Sequence, residues 1–304
     1  MSLPIVRAAA AAALLVAAAS VVAQPKTRAD CERDYKPQVG QSGKDVVWVP
    51  TPDELVARML KMANVGPKDF VIDLGAGDGK IAIAAAKGFG ATSLGIEYNP
   101  DMVKLANCMV QVEGMGGRTR IVQGDIFKED FSKADVITMY LLPQLNLCVR
   151  HRILAMKPGT RVTSHQFTMG EWSEDEKSEF EFRTGYLWIV PARVGGTWTI
   201  RDAAGGSVGV VLDQSFQKLS GEVTVGGAKR PLTEASLRGE DIRLAWTDAS
   251  GQPRSFAGKV SGAAITGTLR GAGSEQSATA ALQGAPRVGR WAEMADGCGQ
   301  YYGK

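Results

Sequence analysis

Histidine is scarce in this 304-residue chain. There are two, His151 and His165, and the four cysteines stand far apart with no Cys-x-x-Cys spacing. A zinc site or a dithiol centre needs such ligands close together, so no metal is expected. Runs of one charge are missing too: 35 Lys and Arg against 32 Asp and Glu leave +3, scattered along the chain. No basic run that would track a phosphate backbone is present, which argues against nucleic acid as a partner. An apolar run from Ala8 to Ala19 covers 12 residues, short of the ~20 that a spanning helix needs.

That run follows Arg7 and precedes the small residues Val21-Val22-Ala23. The layout is that of a secretory signal peptide over residues 1–23, predicting an exported, periplasmic protein. The rival reading, a retained anchor, would tether the chain beside a membrane. Residues 24–46 are polar, with Pro25, Pro37 and small residues near 40–43, and read as a flexible N-terminus. Cys31 and Cys298 flank the rest of the chain, and an oxidising compartment predicts that they pair. Cys108 and Cys148 fall in helical patterns among apolar neighbours and read as buried free thiols.

Residues 47–193 alternate strand and helix. Strands are predicted at Phe70–Leu74, Ser93–Glu97, Arg120–Gln123, Asp135–Tyr140 and Arg161–His165. Helices are predicted at Asp53–Ala63, Lys80–Lys87, Pro100–Val112 and Pro143–Met156. Two further strand-like runs, Glu179–Thr184 and Tyr186–Pro191, suggest a closing hairpin. Such alternation implies an α/β fold: a Rossmann-like, mostly parallel seven-stranded sheet with helices on both faces. Residues 194–290 change character, with frequent glycine and short alternating runs such as Val208–Leu212, Ile242–Trp246 and Ala264–Leu269. They predict a small antiparallel barrel or sandwich that folds alone, joined by a protease-sensitive link at Ala192–Gly196. Residues 291–304 read as a tail.

The chemistry concentrates at Asp73-Leu74-Gly75-Ala76-Gly77-Asp78-Gly79, where the first strand turns into a helix. Glycines there let the backbone turn tightly and a ligand come close. Glu97 ends the second strand, where a carboxylate can accept both ribose hydroxyls of a nucleoside. A dinucleotide fingerprint would want glycine at position 80, which is lysine. Asp73 at the mouth of the turn would repel a pyrophosphate and attract an ammonium. The phosphate reading therefore loses.

This stretch resembles motif I of the class I, seven-strand S-adenosylmethionine-dependent methyltransferases. Gln123-Gly124-Asp125-Ile126-Phe127 resembles the third-strand motif, whose acid reads the adenine amino group. A closer likeness runs over about residues 48–172: Trp48-Val49-Pro50-Thr51-Pro52, Tyr140-Leu141-Leu142-Pro143 and Lys157-Pro158-Gly159. It is similar to the protein-lysine methyltransferases that modify the ATP synthase c subunit and the adenine nucleotide translocase. It is more distantly similar to the histone-lysine methyltransferase that lacks a SET domain. The resemblance implies S-adenosyl-L-methionine as cofactor, held by Thr51, Asp73, Gly75, Gly77, Glu97, Asp125 and Ile126, with Thr51 over the methionine end. It does not extend to the β-rich segment.

Methyl transfer is an in-line displacement, so the site has mainly to align the reactants and exclude water. Tyr140 and Pro143, on the loop after the fourth strand, are expected to wall the methyl-transfer channel rather than act as acid or base. His165 reads as a satisfied core histidine. The expected activity is protein-lysine N-methylation without a dedicated base. Methylation of a small molecule, or an exported cofactor-binding protein without activity, are the alternatives.

Overall fold

A computed structural model describes residues 26–271 and 273–303. The predicted signal peptide lies outside the described residues. Among those residues, no helix is long and apolar enough to cross a membrane.

The first sheet is built on β1 (Phe70–Leu74), which runs parallel to β2 (Thr92–Glu97) and β4 (Val136–Met139). Beyond these lie β3 (Thr119–Gln123) and β5 (Arg161–His165), both also parallel. A hairpin of β6 (Glu176–Phe180) and β7 (Arg183–Ile189) closes the edge, with β7 antiparallel to β5. The order is β3-β2-β1-β4-β5-β7-β6. Period-two alternation sorts side chains to two faces. Val71, Val136 and Leu187 cluster with α2 (Asp53–Met62) and α3 (Lys80–Phe89). Ile72, Leu74, Ile137 and Met139 cluster with α5 (Pro143–Ile153) on the other side. The helix α4 (Pro100–Val112) starts where Asn99 accepts from the Asp101 and Met102 amides and Pro100 fills the first turn, a favoured helix start.

The closing hairpin turns at Glu181–Phe182, with Glu181 at a left-handed φ of 53°, and not at Gly185 as the sequence suggests. Gly185 lies inside β7. Its missing side chain makes room for Met59, since a Cβ there would sit 2.8 Å from Met59 Cγ.

Three expectations about the chain ends are corrected. From residue 26 on, the segment expected to be flexible is built into the fold. It carries α1 (Arg28–Glu32), opened by a capping box in which Thr27 and Asp30 bond each other's amides. Cys31 on α1 pairs with Cys108 on α4, and Cys148 on α5 pairs with Cys298. The predicted Cys31–Cys298 bond is therefore wrong, as are free thiols at 108 and 148. Each disulfide ties a chain end to the helix beside it. The tail also returns to the first sheet: α6 (Gly299–Tyr302) stacks Tyr301 on Phe127 at 4.8 Å, and the Tyr302 hydroxyl donates to the Cys148 carbonyl.

The second sheet is antiparallel and closed. Its strands are β8 (Gly196–Asp202), β9 (Ser207–Ser215), β10 (Lys218–Val225), β11 (Ala228–Pro231), β12 (Glu234–Arg238), β13 (Asp241–Thr247), β14 (Pro253–Ser261), β15 (Ala264–Gly271) and β16 (Ser274–Gln283). Neighbours pair from β12 through to β16, then β8 and β9, and a β9–β10 ladder closes the ring. The other edge of β10 is shared by β12 and β11. Trp198, Leu212, Leu244, Trp246 and Phe256 fill the interior, as is usual for a barrel of this size.

The barrel is not hung on an open link. Ala192 and Val194 are buried in its core, and the Ala192 amide donates to Gly239 O. Phe216, between β9 and β10, inserts into the other core and stacks on Trp172 at 6.0 Å. The 192–196 link, expected to be open to protease, is buried apart from Arg193.

Candidate functional site

A cleft opens at the carboxyl edge of β1, β2, β4 and of the third strand, where strand order reverses between β1 and β4. Open α/β sheets bind ligands at this position. Its floor is the turn after β1. The Gly75 and Ala76 amides both donate to Ile96 O, and Gly75, Gly77 and Gly79 have φ of 76°, 57° and 81°. A side chain there would be strained. At Gly77 it would also meet Trp48, with a Cβ 2.9 Å from the indole nitrogen.

Three carboxylates mark the length of the cleft. Glu97 accepts the Gly77 amide on one oxygen and the Asn99 amide on the other, at 2.8 and 2.9 Å. A carboxylate has about four acceptor positions, so each oxygen keeps capacity for one more donor. Asp73 is 2% exposed and accepts from the Thr138 hydroxyl at 2.7 Å. Burial pushes its carboxyl up to about 7, against the Thr138 bond, and the neighbouring Asp78 and Glu97 charges push the same way. Asp125, at the far end, is also raised by burial, but hydrogen bonds from Lys44 and the Phe127 amide win and hold it below its usual range. Lys44 Nζ lies 2.9 Å from Asp125 and 5.0 Å from the Tyr98 ring centre.

The roof is the segment before α2. Gln41 and residues 43–51 line the cleft, among them Lys44, Trp48 and Thr51. An isolated bridge between Ser42 and Val47 folds this strap back on itself. Lys80 Nζ reaches across to Thr51 O and to Asp53, at 3.2 and 2.9 Å. The glycine-turn helix therefore anchors the Thr-Pro segment.

The remaining wall is apolar and aromatic: Tyr140, Leu141, Leu142, Leu145 and Phe167. Burial raises the Tyr140 phenol above its ordinary value, so it stays protonated at neutral pH. His165 lies behind Tyr140, fully buried, with Nδ1 2.9 Å from Thr51 Oγ1. Burial, reinforced by Arg183, pulls its imidazole down to about 4 and leaves it neutral.

The structure thus gathers Thr51, Asp73, Gly75, Gly77, Glu97, Asp125, Ile126 and Tyr140 around one cleft. Pro143 does not join them. It is exposed in the first turn of α5, fixing the helix start, while Leu142 and Leu145 on either side face the cleft. Sequence reasoning misses Lys44, because the strap reads as loose. It misses Phe167 because that residue follows β5 after a left-handed Gln166 (φ 68°) that no glycine announces.

The cleft fits a nucleoside with a cationic amino-acid end. A buried carboxylate lies at one end, a carboxylate with spare acceptor capacity in the middle, and Asp125 with Ile126 and Tyr98 at the other. Fold and site together define an S-adenosylmethionine-dependent methyltransferase of the Rossmann-like class. The family described as "ANTKMT methyltransferase domain" matches residues 73–176. The protein-lysine N-methyltransferase of Saccharolobus islandicus (strain REY15A) is 40% identical over 151 residues, 48% of this chain and 94% of that protein. The chain belongs to this protein-lysine N-methyltransferase family.

The human lysine N-methyltransferase of the ATP synthase c subunit is 29% identical over 129 residues, 42% of this chain. The chain spans about half of that relative's length, 54%. A solved structure described as an RNA methyltransferase from Salinibacter ruber, in complex with S-adenosyl-L-homocysteine, is 43% identical and has a TM-score of 0.47. It covers 48% of this chain and 96% of that one.

Proposed function

We propose that the chain methylates a lysine side chain of a protein substrate. The observation that carries this reading is the pairing, in one cleft, of a cofactor-shaped row of carboxylates with a wall of apolar and aromatic side chains. When bound, the cofactor supplies an electrophilic methyl group on a sulfonium. Glu97 would hold the ribose, Asp125 the adenine amino group, and Asp73 the methionine ammonium. Tyr140, Leu142, Leu145 and Phe167 exclude water from the reacting end.

A lysine ammonium has an ordinary pKa of ~10.4. Stripping its hydration against this wall lowers that value and releases the proton to solvent. Neither Tyr140, protonated, nor His165, held neutral behind it, is placed to act as the base. Alignment is the main contribution, and an aligned pair reacts far faster than a free one.

The test is incubation of the purified, unreduced protein with methyl-labelled S-adenosylmethionine and a protein extract. Label should appear in protein, resist nuclease, and yield methylated lysine on hydrolysis. Label confined to low-mass compounds or to nucleic acid would overturn the reading.

We also propose that the protein works in an oxidising, exported location, close to a membrane if the leader is retained. Pairing of all four cysteines supports this, because such bonds persist outside the reducing cytoplasm. Fractionation of the producing cell should recover the chain with both disulfides from the envelope. Recovery of a fully reduced chain in the cytoplasm would sink it.

A further inference from the structure

His165 touches two walls of the cleft without lining it. It is the last residue of β5, fully buried, and its Nδ1 lies 2.9 Å from the Thr51 hydroxyl. Its ring packs against Tyr140, with centroids 3.8 Å apart. Its carbonyl accepts the Phe167 amide at 2.8 Å, in the bend that brings Phe167 to the cleft. Thr51 comes from the strap, Tyr140 from the end of β4, and Phe167 from the loop after β5. His165 therefore contacts three separate elements at one end of the cleft: its imidazole meets Thr51 and Tyr140, and its carbonyl holds the bend to Phe167.

The residue type needs a reason. Among the described residues Nε2 is buried with no hydrogen-bond partner, and an unmatched buried polar atom costs stability. A leucine or phenylalanine would fill the space without that cost. Local rules are broken where function requires it. The polar contact that offsets the loss is the one to Thr51.

We propose that His165 is a positioning residue that locks the Thr51 strap to the Tyr140 wall, so that the methyl donor and the nucleophile's channel are held in register. The proposal rests on the methyltransferase reading above. His165 acts through its neighbours and takes no proton in the reaction. Asn146 and Arg150 of α5 brace the same loop from outside, donating to Phe167 O and Met169 O at 3.1 and 2.8 Å.

A double-mutant cycle of Thr51→Val and His165→Phe in the full chain tests it. Phenylalanine retains a ring behind Tyr140 and loses the bond to Thr51. Calorimetric titration with S-adenosylhomocysteine should show each single variant binding about fivefold more weakly, and the double variant no weaker than the worse single one. That non-additivity is the signature of coupled neighbours. His165→Asn, which retains a hydrogen-bonding group and loses the ring, should restore affinity to within about twofold of wild type. Its kcat for labelling the extract should nevertheless fall about tenfold, with the cofactor KM unchanged. Additive losses in the cycle, or equal kcat in wild type and His165→Asn, would overturn the proposal. Should His165→Phe fail to fold, Thr51→Val against Thr51→Ser decides: serine should bind normally, and equal affinities would count against the lock. A wild-type protein that binds no S-adenosylhomocysteine would instead sink the methyltransferase reading itself.

Discussion

The two sheets solve the same burial problem in opposite ways. The barrel closes on itself, and among the described residues its buried set is apolar, from Trp198 through Phe256 to Ala280. The parallel sheet is open. Its order reverses between β1 and β4, and the crevice left there cannot be filled by side chains alone. The buried polar residues among those described all lie in the methyltransferase half; Ser93, Thr119 and Thr160 sit at the amino ends of strands, while Thr51, Asp73, Thr138, Ser164 and His165 lie toward the carboxyl edge where the crevice opens. A closed barrel satisfies its backbone by pairing and its interior by packing. An open sheet retains a glycine turn and carboxylates with spare acceptor capacity at one edge, which is where a ligand can satisfy them.

A reciprocal pair of substitutions sharpens this contrast and carries the largest effects. Glu97→Ala removes an acceptor for both ribose hydroxyls, with each charge-assisted bond worth ~1.5–3 kcal/mol. Affinity for S-adenosylhomocysteine should drop by at least about a hundredfold, while circular dichroism stays native and melting falls only by the loss of the Gly77 and Asn99 bonds. Phe256→Ala empties a fully buried site in the barrel and should cost ~3–5 kcal/mol of stability. Affinity measured well below the melting temperature should hold. If Phe256→Ala weakens cofactor binding in folded protein, the barrel does more than pack against the sheet through Phe216, and the contrast fails.

The contrast also explains which parts of the molecule are legible in its sequence. Asp73 to Gly79 and Glu97 announce themselves because their requirements are local: a tight turn, a close approach, a strand end. Pro100 and Asn99 mark a helix start for the same reason. The partners of Cys31 and Cys298 depend on which helix lies nearby, and no local rule supplies that. Gly185 misleads because glycine serves both turns and close packing, and here Met59 over β7 decides for packing. The first half of the strap, up to residue 46, reads as loose since nothing periodic marks it, whereas Trp48 to Pro52 stands out only through the family resemblance. Its order comes from tertiary ties, Trp48 over Gly77 and Lys44 to Asp125. In the barrel, β11, β12, β14 and β16 escape notice: β11 and β12 are short, and Gly, Ser and Ala make up about half of β14 and β16 and blur the alternation that marks β13.

The smallest predicted effect probes the buried carboxylate, the feature that most separates the open sheet from the barrel. In the free protein Asp73 is held up to about 7, chiefly by burial. A carboxyl raised above its unfolded value favours the protonated fold, so its contribution to stability is full below about pH 4 and lost as pH rises through 7. The cofactor's ammonium reverses that preference, because it attracts the ionised form. Affinity for S-adenosylmethionine should therefore rise with pH, by about tenfold between pH 6 and pH 8, equal to ~1.4 kcal/mol. Asp73→Asn removes the titrating group and should bind weakly and equally at both values. Calorimetry at the two pH values, on wild type and Asp73→Asn, measures both. Lys44 and Asp125 at the far end titrate well outside this window, since their bond raises the lysine and lowers the acid. A pH-independent wild-type affinity would mean that the ammonium is held elsewhere in the cleft, and Asp73 would be left as a strut for Thr138.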